Sequence, residues 1–202
     1  MNLNKTIDKK NACPNCLRPK GQCICTKVNS LDTRLTVLIL QYPREQHKLL
    51  NSARLVNMAL PNSVLRVGLS WPNLNRAAGK KVENGKWGVL YLGSTAQSDK
   101  PLEVLSSKKK PLEEIPQFEG FIALDGTWKQ AKSLWWRNAW LLKLKRIVLN
   151  PDFTSMRSQV KREALSTAEA VALALRHLGE PAEICDSLFA QYETLIIQPN
   201  MV

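Results

Sequence analysis

Apolar positions along the chain alternate between two textures. The run RLTVLILQ at 34–41 is β-branched and Leu-rich without interruption, which predicts a strand of a parallel sheet buried on both faces. Shorter strands are predicted at NSVLRVG (62–68), GVLYLG (88–93), FIALDG (121–126) and KRIVLN (145–150). Helical spacing occupies the gaps. HKLLNSARLVNMAL at 47–60 carries apolar residues at 49, 50, 55, 56, 58, 59 and 60, and TWKQAKSLWWRNAW leaves the turn after FIALDG. STAEAVALALRHLGE opens with Ser166 and has Glu169 three residues on, a capping box that starts a helix. A last helix is expected over about 182–195. The polar stretch 72–86 reads as a loop, and 94–120, with four serines and three prolines, as a long surface excursion. Alternating β and α segments predict an α/β domain with a mainly parallel sheet and no internal repeat.

Four of the five cysteines, Cys13, Cys16, Cys23 and Cys25, crowd into thirteen residues. The spacing Cys-x2-Cys-x6-Cys-x-Cys offers four thiolates, which suits structural, tetrahedral zinc with no open position; an iron–sulfur cluster takes the same ligands. Pro14, Pro19 and Gly21 supply turns around this knuckle. Residues 1–30 are therefore expected to form a small metal-binding segment ahead of one catalytic domain over 31–202. Cys185 lies within an apolar helical pattern and reads as core.

The 202 residues are 44% hydrophobic and 23% charged, which excludes disordered and fibrous classes. Lys and Arg number 29 against 17 Asp and Glu, a net charge of +12, and such an excess points to a polyanionic partner. The first residues hold no apolar run of a secretory signal, and no segment approaches the ~20 apolar residues of a membrane span. A cytoplasmic protein is expected. The charge is uneven: 1–30 is net +5, 129–162 net +8 and 163–202 net −5. In the middle stretch and at its edge Trp128, Trp135, Trp136 and Trp140 interleave with the bases, a composition that suits unstacked RNA. Of Trp135 and Trp136, one is expected to be buried and one to lie nearer the surface.

No G-x-G-x-x-G and no G-x-x-x-x-G-K-[ST] is present, so neither a Rossmann dinucleotide site nor a P-loop has an anchor. His47 and His177 are the only histidines, and both sit in helical patterns, which leaves a Ser–His–Asp scheme little to work with. Chemistry would instead use a pre-activated cosubstrate that the protein orients. Three loops at predicted carboxyl ends of strands can receive ligands: Leu92-Gly93-Ser94, Leu124-Asp125-Gly126-Thr127-Trp128 and Leu165-Ser166-Thr167. Asp125 or Thr127 can also be the N-cap of the helix that follows.

DGTW at 125–128 resembles the motif that names the DTW domain family. The resemblance extends to the cysteine quartet, LTVLILQYPRE at 35–45, NSARL at 51–55, DGTWKQA at 125–131 and LSTAEAVA at 165–172, in order along nearly the whole chain. Tyr42 stands where the family pattern leads one to expect His, and 152–163 matches less closely. The resemblance is to the bacterial tRNA-uridine aminocarboxypropyltransferases of that family. It implies a SPOUT-like domain with a knotted C-terminal half, and transfer of the 3-amino-3-carboxypropyl (acp) group from S-adenosylmethionine to N3 of a uridine in the tRNA variable loop. Methylthioadenosine would be released.

On that reading the catalytic candidates are Asp125, Thr127 and Trp128. Asp125 would accept or hydrogen-bond the N3 proton, with burial beside Trp128 expected to raise its pKa. Trp128 would stack on the base or wall the cosubstrate. Leu92, Gly93, Leu124, Asp125, Gly126, Leu165, Ser166 and Thr167 are the candidate cosubstrate contacts, Ser166 and Thr167 facing the carboxylate unless Ser166 is only a cap. Arg54, Lys129, Lys132, Arg157, Lys161 and Arg162 are candidate RNA contacts; Arg54 can equally be a buried pairing residue. Methyl transfer, an rRNA substrate and a non-catalytic zinc-ribbon RNA binder are the competing readings.

Overall fold

A computed structural model of the chain describes residues 12–91, 100–151, 156 and 165–197. Six strands, β1 (Thr36–Gln41), β2 (Ser63–Val67), β3 (Trp87–Leu90), β4 (Leu102–Leu105), β5 (Gly120–Asp125) and β6 (Lys145–Leu149), form one sheet in the order β2-β1-β5-β3-β6-β4. All neighbours run parallel except the edge strand β4, which is antiparallel to β6. Among the described residues five α-helices accompany them: α1 (Ser52–Ala59), α2 (Leu74–Ala78), α3 (Trp128–Arg137), α4 (Thr167–His177) and α5 (Ala182–Ile197).

Both faces of the sheet are covered, which explains the unbroken apolar texture of its central strands. Val37, Ile39, Phe121 and Ala123 point to one face, where α1, α4 and α5 pack with Cys16 and Ile24 of the knuckle. Leu38, Leu40, Ile122 and Leu124 point to the other, against α2, α3, Trp87 and Trp135. The alternation has a direct consequence at the strand ends. Gln41 and Asp125 continue the first set, pair in register, and so share the face of α1 and α4.

Three sequence expectations change. The helix foreseen from His47 begins at Ser52, because the Asn51 side chain caps it by accepting from the Arg54 N–H at 2.9 Å. The 72–86 loop contains α2, capped by Asn73 and closed by Gly79 at φ +76°, a helix too short for periodicity to register. The excursion 94–120 contains β4; four residues hidden among prolines and serines give no strand signal of their own. The capping box of Ser166 and Glu169, the core position of Cys185, and a buried Trp135 beside an exposed Trp136 all match the expectation. The knot expected in the C-terminal half is not among the features described. Among the described residues no helix is long and apolar enough to cross a membrane.

Candidate active site and cysteine centre

The carboxyl ends of β1 and β5 meet the N-terminal ends of α1 and α4, and Asp125 sits where they converge. The residue is 9% exposed. Gln41 Nε2 donates to Oδ2 at 2.8 Å, and Thr167 Oγ1 donates to Oδ1 at 2.5 Å. Gln41 is fully buried and its Nε2 also donates to Asn51 Oδ1 at 3.0 Å. Asn51 in turn donates to the carbonyls of Glu45 and Gln46, so one asparagine caps α1, ties down the loop after β1 and supports Gln41. Two donors on two oxygens fix the plane of the carboxyl group. The Tyr42 N–H donates to the Asp125 carbonyl at 2.9 Å, which continues the β1–β5 ladder into the turn.

The remaining DGTW residues divide the work differently from expectation. Thr127, not Asp125, is the N-cap of α3: its Oγ1 accepts from the Gln130 N–H, and Gln130 Oε1 accepts from the Thr127 N–H at 2.6 Å. Trp128 is 60% exposed at the start of α3, whose buried Ala131, Leu134 and Trp135 pack on the sheet face opposite the Asp125 side chain. The side chains bonded to the Asp125 carboxyl come instead from Gln41 and Thr167. Gly126 is required by crowding, since a Cβ there would lie 2.9 Å from Gln130 Cβ and 3.4 Å from Tyr42 Cβ.

On the α4 side, Ser166 is buried and its Oγ accepts from the Glu169 N–H at 3.2 Å, while Glu169 Oε2 accepts from the Ser166 N–H at 2.7 Å. The Ser166 hydroxyl is thus engaged as a cap and the Thr167 hydroxyl as a donor to Asp125. Leu124 and Leu165 border the same strand–helix ends. Leu92, Gly93, Arg157, Lys161 and Arg162 lie outside the described residues. Lys129 and Lys132 are exposed on α3. Gln41 and Asn51 were missed from sequence; a polar residue closing an otherwise apolar strand was the available signal for Gln41.

The four knuckle sulfurs form a second, closed cluster. Cys13 Sγ is 3.7 Å from Cys25 Sγ, Cys16 Sγ is 3.7 Å from Cys23 Sγ, and all four lie within 4.8 Å of one another. A tetrahedron with zinc–sulfur bonds of about 2.3 Å has sulfur–sulfur edges of about 3.8 Å, so the donor set fits zinc. Local backbone geometry builds it: the Leu17 N–H bonds the Cys13 carbonyl, with Leu17 at φ +56°. The N–H groups of Cys16 and Asn15 pull the Cys13 thiol down to about 6, and burial pushes Cys25 up to about 12. Two guanidiniums sit beside the thiols. Arg18, 2% exposed, donates to the carbonyls of Gln22 and Leu49 and interacts with Cys16 and Cys23. Arg54 reaches from α1 to the Asn15 carbonyl at 3.2 Å and also feels Cys16. The structure thus places Arg54 as a strut between α1 and the knuckle.

A family model described as DTW domain matches residues 10–198. The chain is similar to proteins named tRNA-uridine aminocarboxypropyltransferase 2. That from Macaca fascicularis is 27% identical over 195 residues, covering 91% of this chain and 61% of the relative. Those from Mus musculus and Drosophila melanogaster are 26% and 27% identical, each covering 93% of this chain, and 63% and 74% of the respective relatives. The chain thus spans less than two thirds of the length of the first two relatives. No solved structure shows a significant match.

Proposed function

The chain belongs to the DTW family, and from that premise we propose that it is a tRNA-uridine aminocarboxypropyltransferase that forms acp³U in the variable loop. The observation that carries this reading is the Asp125 carboxyl, nearly buried and held by Gln41 and Thr167 where strand ends meet helix N-termini. The relatives' names and the basic composition support an RNA substrate. S-adenosylmethionine, when bound, supplies a propyl carbon already activated by its sulfonium, with methylthioadenosine as the leaving group.

The chain's own task is orientation and proton transfer. Holding uridine N3 in line with the propyl carbon, rather than with the methyl, can contribute about 7–11 kcal/mol. Asp125 takes the N3 proton as the N–C bond forms and the C–S pair leaves with sulfur. Gln41 and Thr167 are positioning residues that present the carboxyl to N3. The first turn of α4, beside Asp125, suits the carboxylate of the acp group through the Thr167 and Ala168 N–H groups and the helix dipole, since the Ser166 and Thr167 hydroxyls and the Ser166 and Glu169 N–H groups are already engaged. Leu92, Gly93, Leu124, Gly126 and Leu165 are carried in the same reading as the adenosine edge.

The knuckle is proposed to hold structural zinc through Cys13, Cys16, Cys23 and Cys25. Zinc there would close the four thiolates into one unit, with Arg18 and Arg54 offsetting their charge. The same reading gives residues 31–202 a SPOUT-like, knotted course, and assigns Arg157, Lys161 and Arg162 to tRNA phosphates, in a cytoplasmic enzyme.

Mass spectrometry of nucleosides and by-products, after incubation with unmodified tRNA and S-adenosylmethionine, tests the reaction. The expected result is an acp-sized gain on uridine with methylthioadenosine. A methyl-sized gain with S-adenosylhomocysteine, or RNA binding without any gain, overturns it.

A further inference from the structure

The outer side of α3 carries two tryptophans that the core leaves out. Trp128 is 60% and Trp136 64% exposed, whereas Trp135 is 7% exposed with its ring tilted against Tyr91 at 5.6 Å between centroids. At 3.6 residues per turn, Trp128, Lys132, Trp136 and Lys129 fall within an arc of roughly 100°, on one side of the helix. Along the axis the two indoles are about 12 Å apart. The helix sequence WKQAKSLWWR contains three bases and no acid. Its N-terminal end is the turn that carries Asp125.

The ridge is not a continuous apolar patch, because ammonium groups separate the indoles. That composition fits a ligand offering flat apolar faces and regularly spaced negative charge, and it disfavours a purely apolar protein partner. A span of about 12 Å covers three to four stacked nucleotide steps at about 3.4 Å each. We propose that this ridge is a stacking track for single-stranded RNA flanking the target nucleotide, with Trp136 taking the face of an unpaired base and Lys129 and Lys132 its phosphates. The identity of the RNA as tRNA rests on the function proposed above; the track itself rests on the exposed indoles and their charge. The track starts at the 125–128 turn, at the carboxyl edge of the sheet, and runs along α3 toward Arg137.

The test measures RNA affinity and acp transfer separately, with the full chain, unmodified tRNA and a short single-stranded RNA oligonucleotide. Trp136 is exposed, so its replacement leaves the fold intact. Wild-type indole fluorescence is expected to quench on titration with either RNA. Trp136→Ala is expected to weaken binding of both by roughly tenfold, within the range that loss of one base–aromatic stack produces. Trp136→Tyr should recover most of that loss. Lys132→Ala should lower the slope of log affinity against log salt by about one. The exposed Lys108→Ala, on the 106–110 turn, serves as the charge-loss control and should match wild type.

Equal RNA affinity in wild type and Trp136→Ala overturns the proposal. So does a Trp136-dependent self-association in sedimentation with RNA affinity unchanged, which would make the ridge a protein interface. The transfer assay keeps the two readings apart. Trp136-dependent RNA binding with no acp product removes the transferase reading and leaves the track. Acp product at a wild-type KM for tRNA in Trp136→Ala removes the track and leaves the transferase.

Discussion

The cysteine knuckle and the DGTW turn are both short sequence motifs, but the fold completes them in opposite ways. The knuckle gathers all four of its thiols from within thirteen residues and closes them on one another, so its geometry is local. The turn contributes one buried carboxyl, and the groups that hold it arrive from Gln41 and Thr167, far away along the chain. A local site survives small errors elsewhere in the fold. A site assembled from strand ends and helix starts is set by sheet register, and a one-residue slip of β1 against β5 would turn Gln41 to the wrong face.

Four perturbations sharpen that contrast, in descending order of expected effect. Metal removal comes first. Chelation, or Cys16→Ser, should release the knuckle and expose Ile24 and the core beneath it, with a loss of stability of several kcal/mol, measured by thermal unfolding with and without added zinc. Because the Cys25 thiol is pushed up to about 12, metal uptake near neutral pH should release protons, and acidification should weaken retention. A chain whose unfolding is indifferent to chelator would remove the metal from the account.

Gln41 is next. Gln41→Leu should lower transfer by about 10- to 100-fold while tRNA and cosubstrate affinities stay near wild type, the signature of a positioning residue. Gln41→Glu adds a test that packing alone would not move. A second carboxyl beside Asp125 makes the pair hold a proton more tightly, so the acid limb of the rate profile should shift to higher pH. An unchanged profile would disconnect Gln41 from the chemistry.

Thr167→Val should then cost about tenfold in transfer, with Thr167→Ser recovering it, because only the hydroxyl reaches Asp125. Equal rates for the two variants would make Thr167 a packing residue. The smallest effect is at the cap. Thr127→Ala should destabilise α3 by about 1 kcal/mol in denaturant unfolding, while transfer at saturating substrate changes little. A large loss of transfer there would return Thr127 to the catalytic set.

What could be read from sequence follows the same division. The knuckle was legible as a spacing, and its sulfur separations agree with the tetrahedral expectation. The strands from RLTVLILQ to KRIVLN and the α4 capping box were legible because periodicity and caps are local. The order β2-β1-β5-β3-β6-β4 was not, since nothing in a strand's own sequence names its neighbour. Short elements such as α2 and β4 vanished into polar loops. At the candidate site, Asp125 was legible as a motif residue, but the choice of Thr127 as the cap depended on which oxygen meets Gln130. Trp128 was expected to bury Asp125, and β-strand alternation instead puts its helix on the other face. Arg54 reads as a basic residue for RNA until α1 is docked, when it reaches Asn15 of the knuckle.

The most direct measurement of the central claim is single-turnover transfer by Asp125→Asn, with tRNA and cosubstrate binding measured on the same preparation. Asparagine keeps the shape and can still accept from Gln41 or Thr167, but it cannot take the N3 proton. The account predicts a folded, zinc-loaded protein that binds both substrates near normally and transfers at least about 100-fold more slowly. Transfer at a near-wild-type rate would contradict it and leave Asp125 as a structural tie between two strands and a helix.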